Sequence, residues 1–245
     1  MALPKNALLG TAGLTLLSTS LLFIWFLILP GVANDNPFRK TYYLRADTSG
    51  ITGARPVSQW TYFFICGLDN QDCGSAHPAI PFGAAWDSNA QNVPPGLGGS
   101  HGSRTTSFHY FFMWRFGWVF LLMTLFFEVL ALFTALISCC GRLGAALAFV
   151  VSSIALFWFS LAVALITATF VEARNRFHDA GRSAQIGAYA FGFLWGSYVA
   201  LLLATLLFAL GIRSNTGFAL PRRRSTKGGS RGRSYDGRRV KDDYS

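Results

Sequence analysis

The chain has 245 residues, of which 52% are hydrophobic and only 13% charged, and it carries a formal charge of +10. The charged share is about half of the roughly 25% usual in a soluble domain. The apolar residues are gathered in long runs, which excludes a single water-soluble core. From Arg213 onward ten basic residues stand against three acidic ones, so this end points to anionic lipid, and no nucleic-acid partner is expected.

Residues 1–7 form a short N-terminus with Lys5. The first uncharged run, Leu8–Leu29, closes at Pro30-Gly31 and exceeds the about 20 residues a spanning helix needs. Gly31-Val32-Ala33 offers small residues where a signal peptidase would cut. The run is longer than the roughly 7–15 residues of a signal h-region, so an uncleaved helix is the reading adopted.

Residues 30–115 form the long first loop. Thr41–Arg45 and Val57–Ile65 carry the aromatic and β-branched residues of strands, whereas Asn89–Gly102, rich in Gly, Pro and Asn, is expected to be irregular. Cys66 and Cys73 flank a short turn, Gly67–Asp72, that suits a disulfide on an oxidising side of the membrane. The competing reading is a metal site with His77, which would lack a fourth ligand. No metal or other cofactor is expected.

The second run, Phe116–Ser138, has one charge, Glu128, near its middle. A charge at that depth is costly and is a functional hypothesis by default. Glu128 is expected to be protonated and hydrogen-bonded to one of Ser18, Thr19, Ser20, Ser152, Ser153, Ser160 or Ser197, which lie at similar depth. A proton relay would want a second ionisable group there, so structural glue is the reading adopted; a transport role is the alternative. Trp114 and Trp118 at the start of this run, and Trp25 in the first, read as interfacial anchors.

Cys139 and Cys140 open the turn 139–142. They are candidates for S-palmitoylation or, equally, small residues packing at a helix end. The third run, Leu143–Phe170, is too long for an upright helix and should tilt or project. Residues 171–188 form a second loop. The fourth run, Tyr189–Ile212, repeats small residues every fourth position from Ala188 through Gly192, Gly196, Ala200 and Ala204. Such a stripe packs within the bundle or against another copy, giving a lateral homo-oligomer.

The tail, 213–245, should be disordered in solution. Arg222, Arg223, Arg224, Lys227, Arg231 and Arg233 follow the last run closely, which puts both termini in the cytoplasm and both loops outside. The same residues would bind anionic inner-leaflet lipid, and phosphates on Ser225, Ser230 and Ser234 would offset them. Backbone groups in hydrocarbon must pair within their own segment, so all four runs are expected as helices. The fold class is an all-α membrane protein, a four-helix transmembrane bundle with a large extracellular loop able to carry a small β-sheet. No catalytic spacing, P-loop or nucleophile elbow occurs, so an enzyme is not expected.

Several stretches give a more specific likeness. They are Ala46-Asp47-Thr48-Ser49-Gly50-Ile51, Trp60-Thr61-Tyr62 leading to Cys66-Gly67, and Arg115-Phe116-Gly117-Trp118. After the third run come Arg174-Asn175, Ala180-Gly181-Arg182-Ser183 and Tyr189-Ala190-Phe191-Gly192-Phe193; late in the tail stands Arg238-Arg239-Val240-Lys241-Asp242. In this order between four spans they resemble the fungal SUR/PalI family of plasma-membrane proteins, especially its eisosome-associated branch. The resemblance implies a distantly claudin-like bundle in which Trp60, Cys66, Gly67 and Cys73 form the loop signature. It implies furrow-like membrane domains called eisosomes, with roles in cell-wall integrity, endocytosis, sphingolipid balance and stress response. Partners would be other eisosome proteins and membrane lipids, sphingolipid or sterol among them. An organiser of plasma-membrane domains is the reading adopted. The alternatives are a small-solute or proton transporter or its accessory subunit, and a claudin-like cell-surface or wall-sensing protein.

Overall fold

A computed structural model describes residues 5–33, 35–137 and 142–216. Its helices are α1 (Lys5–Ile28), α2 (Phe108–Ile137), α3 (Arg142–Asp179) and α4 (Ala188–Thr216). All four are long and apolar enough to cross a membrane. The strands are β1 (Leu44–Asp47), β2 (Val57–Trp60), β3 (Ile65–Cys66) and β4 (Ala184–Ile186). They form one antiparallel sheet in the order β3-β2-β1-β4.

In the bundle, α2 packs chiefly on α3 and α1 chiefly on α4, and α3 closes against α4. A seam of small residues marks the buried side of α3. Ala148, Ala155 and Ala162, seven residues apart on α3, are fully buried, as membrane helices require where backbones approach closely. Gly117 extends the seam on α2: a β-carbon there would lie 3.1 Å from the Ile166 side chain and 3.4 Å from its backbone nitrogen.

The helices outrun the apolar stretches. The second begins at Phe108 rather than at 116, and the third runs to Asp179 rather than 170. At 38 residues α3 is about 57 Å long, nearly twice a hydrocarbon core of about 30 Å. Its last turns stay helical because Phe170, Ala173 and Phe177 keep a buried stripe at helical spacing. The helix stops at Gly181, whose φ of +73° favours glycine. The Gly181 amide donates to the His178 carbonyl and the Arg182 amide to the Phe177 carbonyl, at 2.9 Å each. Together these bonds form a Schellman stop.

The sheet differs from the two expected strands in three respects. The first strand starts three residues later, at Leu44, because Thr41 instead caps the 3-10 turn Phe38–Lys40. The stretch from Val57 to Ile65 breaks at Thr61, where Thr61 donates its amide to Phe64 O at 2.9 Å and accepts the Phe64 amide on Oγ1 at 3.2 Å. A threonine hydroxyl makes that turn without glycine or proline. The fourth strand comes from the second loop. One connected core joins sheet and bundle, from Leu17, Phe159 and Phe208 up to Tyr43, Trp60 and Leu97.

Candidate functional site

Two places gather the sequence-predicted residues: an aromatic seam between sheet and bundle, and a polar node within the bundle. In the seam, Trp60 is 2% exposed. Its indole stacks on Phe82 with centroids 4.7 Å apart, and its Nε1–H donates to the Phe82 carbonyl at 2.9 Å. Tyr43, just before β1, stacks on Phe170 of α3 at 5.0 Å and meets Trp114 of α2 edge-on. Tyr62 stacks on Trp118 and donates its hydroxyl to the Trp118 carbonyl at 2.8 Å. Each such pair adds about 0.5–1.5 kcal/mol beyond its burial. Burial pushes the Tyr43 and Tyr62 phenols above their ordinary range.

Two of the three expected interfacial anchors are placed differently. Trp114 is 2% exposed and belongs to the seam. Trp118 turns its ring onto Tyr62 and Phe63. Their helix begins at Phe108, eight residues before the apolar run, and there the rings meet Tyr43 and Tyr62 beside the sheet. Trp25 faces outward.

Cys66 and Cys73 are joined as a disulfide. His77 instead contacts Ser75, 2.7 Å from its hydroxyl, and no cluster fit to hold a metal occurs among the described residues. The stapled turn is locked to the sheet by Asn70, which sequence reasoning passed over. Its backbone amide donates to Gln59 Oε1 at 2.9 Å, and its Nδ2 donates to the carbonyls of Phe38 and Thr41 at 2.8 Å each. Gly67 closes the turn, donating its amide to Gln71 O at 2.7 Å. The only advance signal for Asn70 was an asparagine in a short cysteine loop.

Arg182 was also unassigned beyond its place in a matching stretch. Its guanidinium donates to the Ser49 carbonyl at 2.5 Å and to Asn92 O at 3.3 Å. The turn it grips is built by Asp47, whose Oδ1 accepts the Ser49 amide at 2.9 Å and hydroxyl at 2.6 Å. Those two bonds hold the Asp47 carboxyl below the usual carboxylate range. Two stretches far apart in sequence thus meet at one clamp.

In the polar node, Glu128 of α2 is fully buried. Of the hydroxyls named for it, the structure brings Ser20 of α1, with Ser20 Oγ 2.9 Å from Glu128 Oε1 and 2.9 Å from the Ser197 carbonyl of α4. Three helices converge on one hydroxyl. Glu128 Oε2 has no hydrogen-bond partner among the described residues. Ser152, Ser153 and Ser160 instead bond back to carbonyls of their own helix.

The α4 stripe does not keep to one face. Gly192 is exposed, and a β-carbon there would meet nothing within 4 Å among the described residues; Gly196 faces Phe23 of α1, and Ala200 and Ala204 are buried. A spacing of four residues advances about 40° per step on a 3.6-residue helix, so the stripe winds from outside into the α1 contact. Cys139, Cys140 and the tail residues Arg222, Arg223, Arg224, Ser225, Lys227, Ser230, Arg231, Arg233 and Ser234 lie outside the described residues.

Residues 9–207 match the SUR7/PalI family. The chain is similar to the SUR7 family protein FMP45 of Saccharomyces cerevisiae, at 35% identity over 188 residues, covering 74% of this chain and 59% of that protein. It is similar to Protein SUR7 of Candida albicans, at 31% identity over 207 residues, covering 82% and 73%. It is also similar to the uncharacterized plasma membrane protein YNL194C of Saccharomyces cerevisiae, at 29% identity over 188 residues, covering 74% and 61%. The matched region thus spans about six tenths of FMP45 and of YNL194C.

Proposed function

Because this chain belongs to the SUR7/PalI family of fungal multi-pass membrane proteins, we propose that it is a non-enzymatic organiser of plasma-membrane domains of the eisosome type. The observation that carries this reading is the continuous aromatic core joining sheet to bundle, Tyr43 on Phe170 above all. A loop fused to the bundle in this way holds a fixed shape outside the hydrocarbon, as a lateral scaffold needs. A disulfide-stapled sheet fits the oxidising outer side of the membrane, with both termini cytoplasmic.

On the inner side, Arg222, Arg223, Arg224, Lys227, Arg231 and Arg233 would hold anionic lipid, at about 1 kcal/mol per residue. Acylation of Cys139 and Cys140 would add a second anchor, and phosphates on Ser225, Ser230 and Ser234 would release the tail. Support for cell-wall integrity, endocytosis and stress response would follow from holding such domains in place.

Imaging a tagged copy in fungal cells tests the proposal. Static cortical patches are expected, and their loss when residues 222–245 are deleted would assign the scaffold to lipid binding. A diffuse membrane or vacuolar signal from the intact chain overturns it.

Glu128 carries a second reading, a small-solute or proton transporter, because Oε2 is buried without a partner among the described residues. If Glu128→Gln left folding and localisation intact but abolished a measured transport activity, that reading would replace the scaffold.

A further inference from the structure

We propose that the free edge of β4, together with the basic end of α3 beside it, is a docking groove for an extended acidic segment of a partner protein, which adds to the sheet as a fifth strand. The phase of the ladder fixes which backbone groups are free. The Asp47 amide donates to Ser183 O and the Gly187 amide to Tyr43 O, at 2.8 and 3.2 Å. Gln185, midway between them, therefore turns its amide and carbonyl toward Arg45, its partner on β1. Ala184 and Ile186, one residue out of phase, turn theirs to the outer edge.

One of those groups is taken: His178 Nε2 donates to the Ala184 carbonyl at 2.8 Å. The Ala184 amide and both Ile186 groups have no partner among the described residues.

The opposite edge is treated differently. There the chain covers β3, with the Gly74 amide donating to Ile65 O at 3.2 Å, the His77 amide to Phe63 O at 3.1 Å, and the disulfide alongside. A strand edge left open is a template for another chain.

Beside the open edge lies a groove of about 720 Å³, lined by Arg174, Asn175, His178, Ala184, Gln185 and Ile186. An added strand needs only about 4.8 Å of lateral room. Arg174 Nε and Nη2 donate to Asn175 Oδ1 at 3.2 and 2.8 Å, which leaves Nη1 without an acceptor among the described residues. No carboxylate lines the groove.

This charge argues against a second copy, whose β4 edge would bring its own Arg174 toward this one. A lipid phosphate would engage the arginine and the free amides but leave the Ile186 carbonyl unmet. An extended peptide supplies both donors and acceptors at strand spacing, and acidic side chains answer Arg174.

The test uses the full chain in zwitterionic nanodiscs and a labelled ten-residue peptide alternating aspartate with valine. Fluorescence anisotropy should show saturable binding that weakens at least fivefold with Arg174→Glu. It should weaken as much with Ile186→Pro, which removes an outward N–H and no sheet bond. The same peptide N-methylated on every amide should not bind the unaltered chain, a readout that survives any misfolding of the variants.

Three results overturn the proposal. The peptide fails to bind; or the N-methylated peptide binds as well as the plain one; or phosphatidylserine nanodiscs abolish peptide binding through Arg174 while Ile186→Pro has no effect. The last result assigns the groove to a lipid headgroup.

Discussion

Tyr43 lies flat on Phe170, with ring centroids 5.0 Å apart and planes 8° from parallel. The first residue stands at the entry to the sheet and the second on α3, so this stack is where loop and bundle become one body. The tyrosine hydroxyl is buried with no partner among the described residues. A buried unpaired hydroxyl costs about 1–3 kcal/mol. Tyr43→Phe is therefore expected to keep or raise the melting temperature in detergent, whereas Tyr43→Ala should cost about 3 kcal/mol or more through the cavity it leaves.

The node at Ser20 predicts a graded series. Glu128→Gln keeps a hydrogen-bonding group of the same size and should melt near the unaltered protein. Glu128→Ala and Ser20→Ala should each lower stability by about 1 kcal/mol, the scale of interhelical hydrogen bonds in membranes. The double variant should lose less than the sum, because both changes remove one interaction. Additive losses in thermal unfolding would show that the two side chains act separately.

Opening the disulfide frees a short loop, for which chain entropy gives about 2–3 kcal/mol. Cys66→Ser is expected to shift thermal unfolding by that amount and to expose the Gly67–Asp72 turn to protease. Asn70→Ala should expose the same turn with the disulfide intact, since it removes both Nδ2 bonds to Phe38 and Thr41.

At the stop of α3, Gly181→Ala places a side chain at φ +73° and should cost about 1 kcal/mol. Arg182→Ala should leave the helix intact and loosen the grip on Ser49 and Asn92. Amide exchange would then rise in the 47–51 turn and in β4, but not within α3.

The Asp47 turn gives a pH dependence. Its carboxyl is held low by the Ser49 hydrogen bonds, so their contribution is full above the unfolded carboxylate value and is lost as pH falls through the lower folded value. Amide exchange at Ser49 should accelerate in that acidic range. Asp47→Asn should flatten the dependence, since an amide oxygen still accepts but does not titrate.

Length and apolarity alone determined the four spans, because hydrocarbon admits only backbone that satisfies itself and so fixes each run as a helix. The spacing of Cys66 and Cys73 likewise carried the stapled turn, a local feature. Burial of Glu128 followed from a carboxyl standing mid-run.

Which hydroxyl meets Glu128 was decided by packing, since Ser20 and Ser197 lie on helices whose rotation no run of residues encodes. The fourth strand, the burial of Trp114 and the clamp from Arg182 to Ser49 have the same origin. Each joins residues far apart in sequence, and such contacts exist only once α3 outruns the membrane and carries its end beneath the sheet.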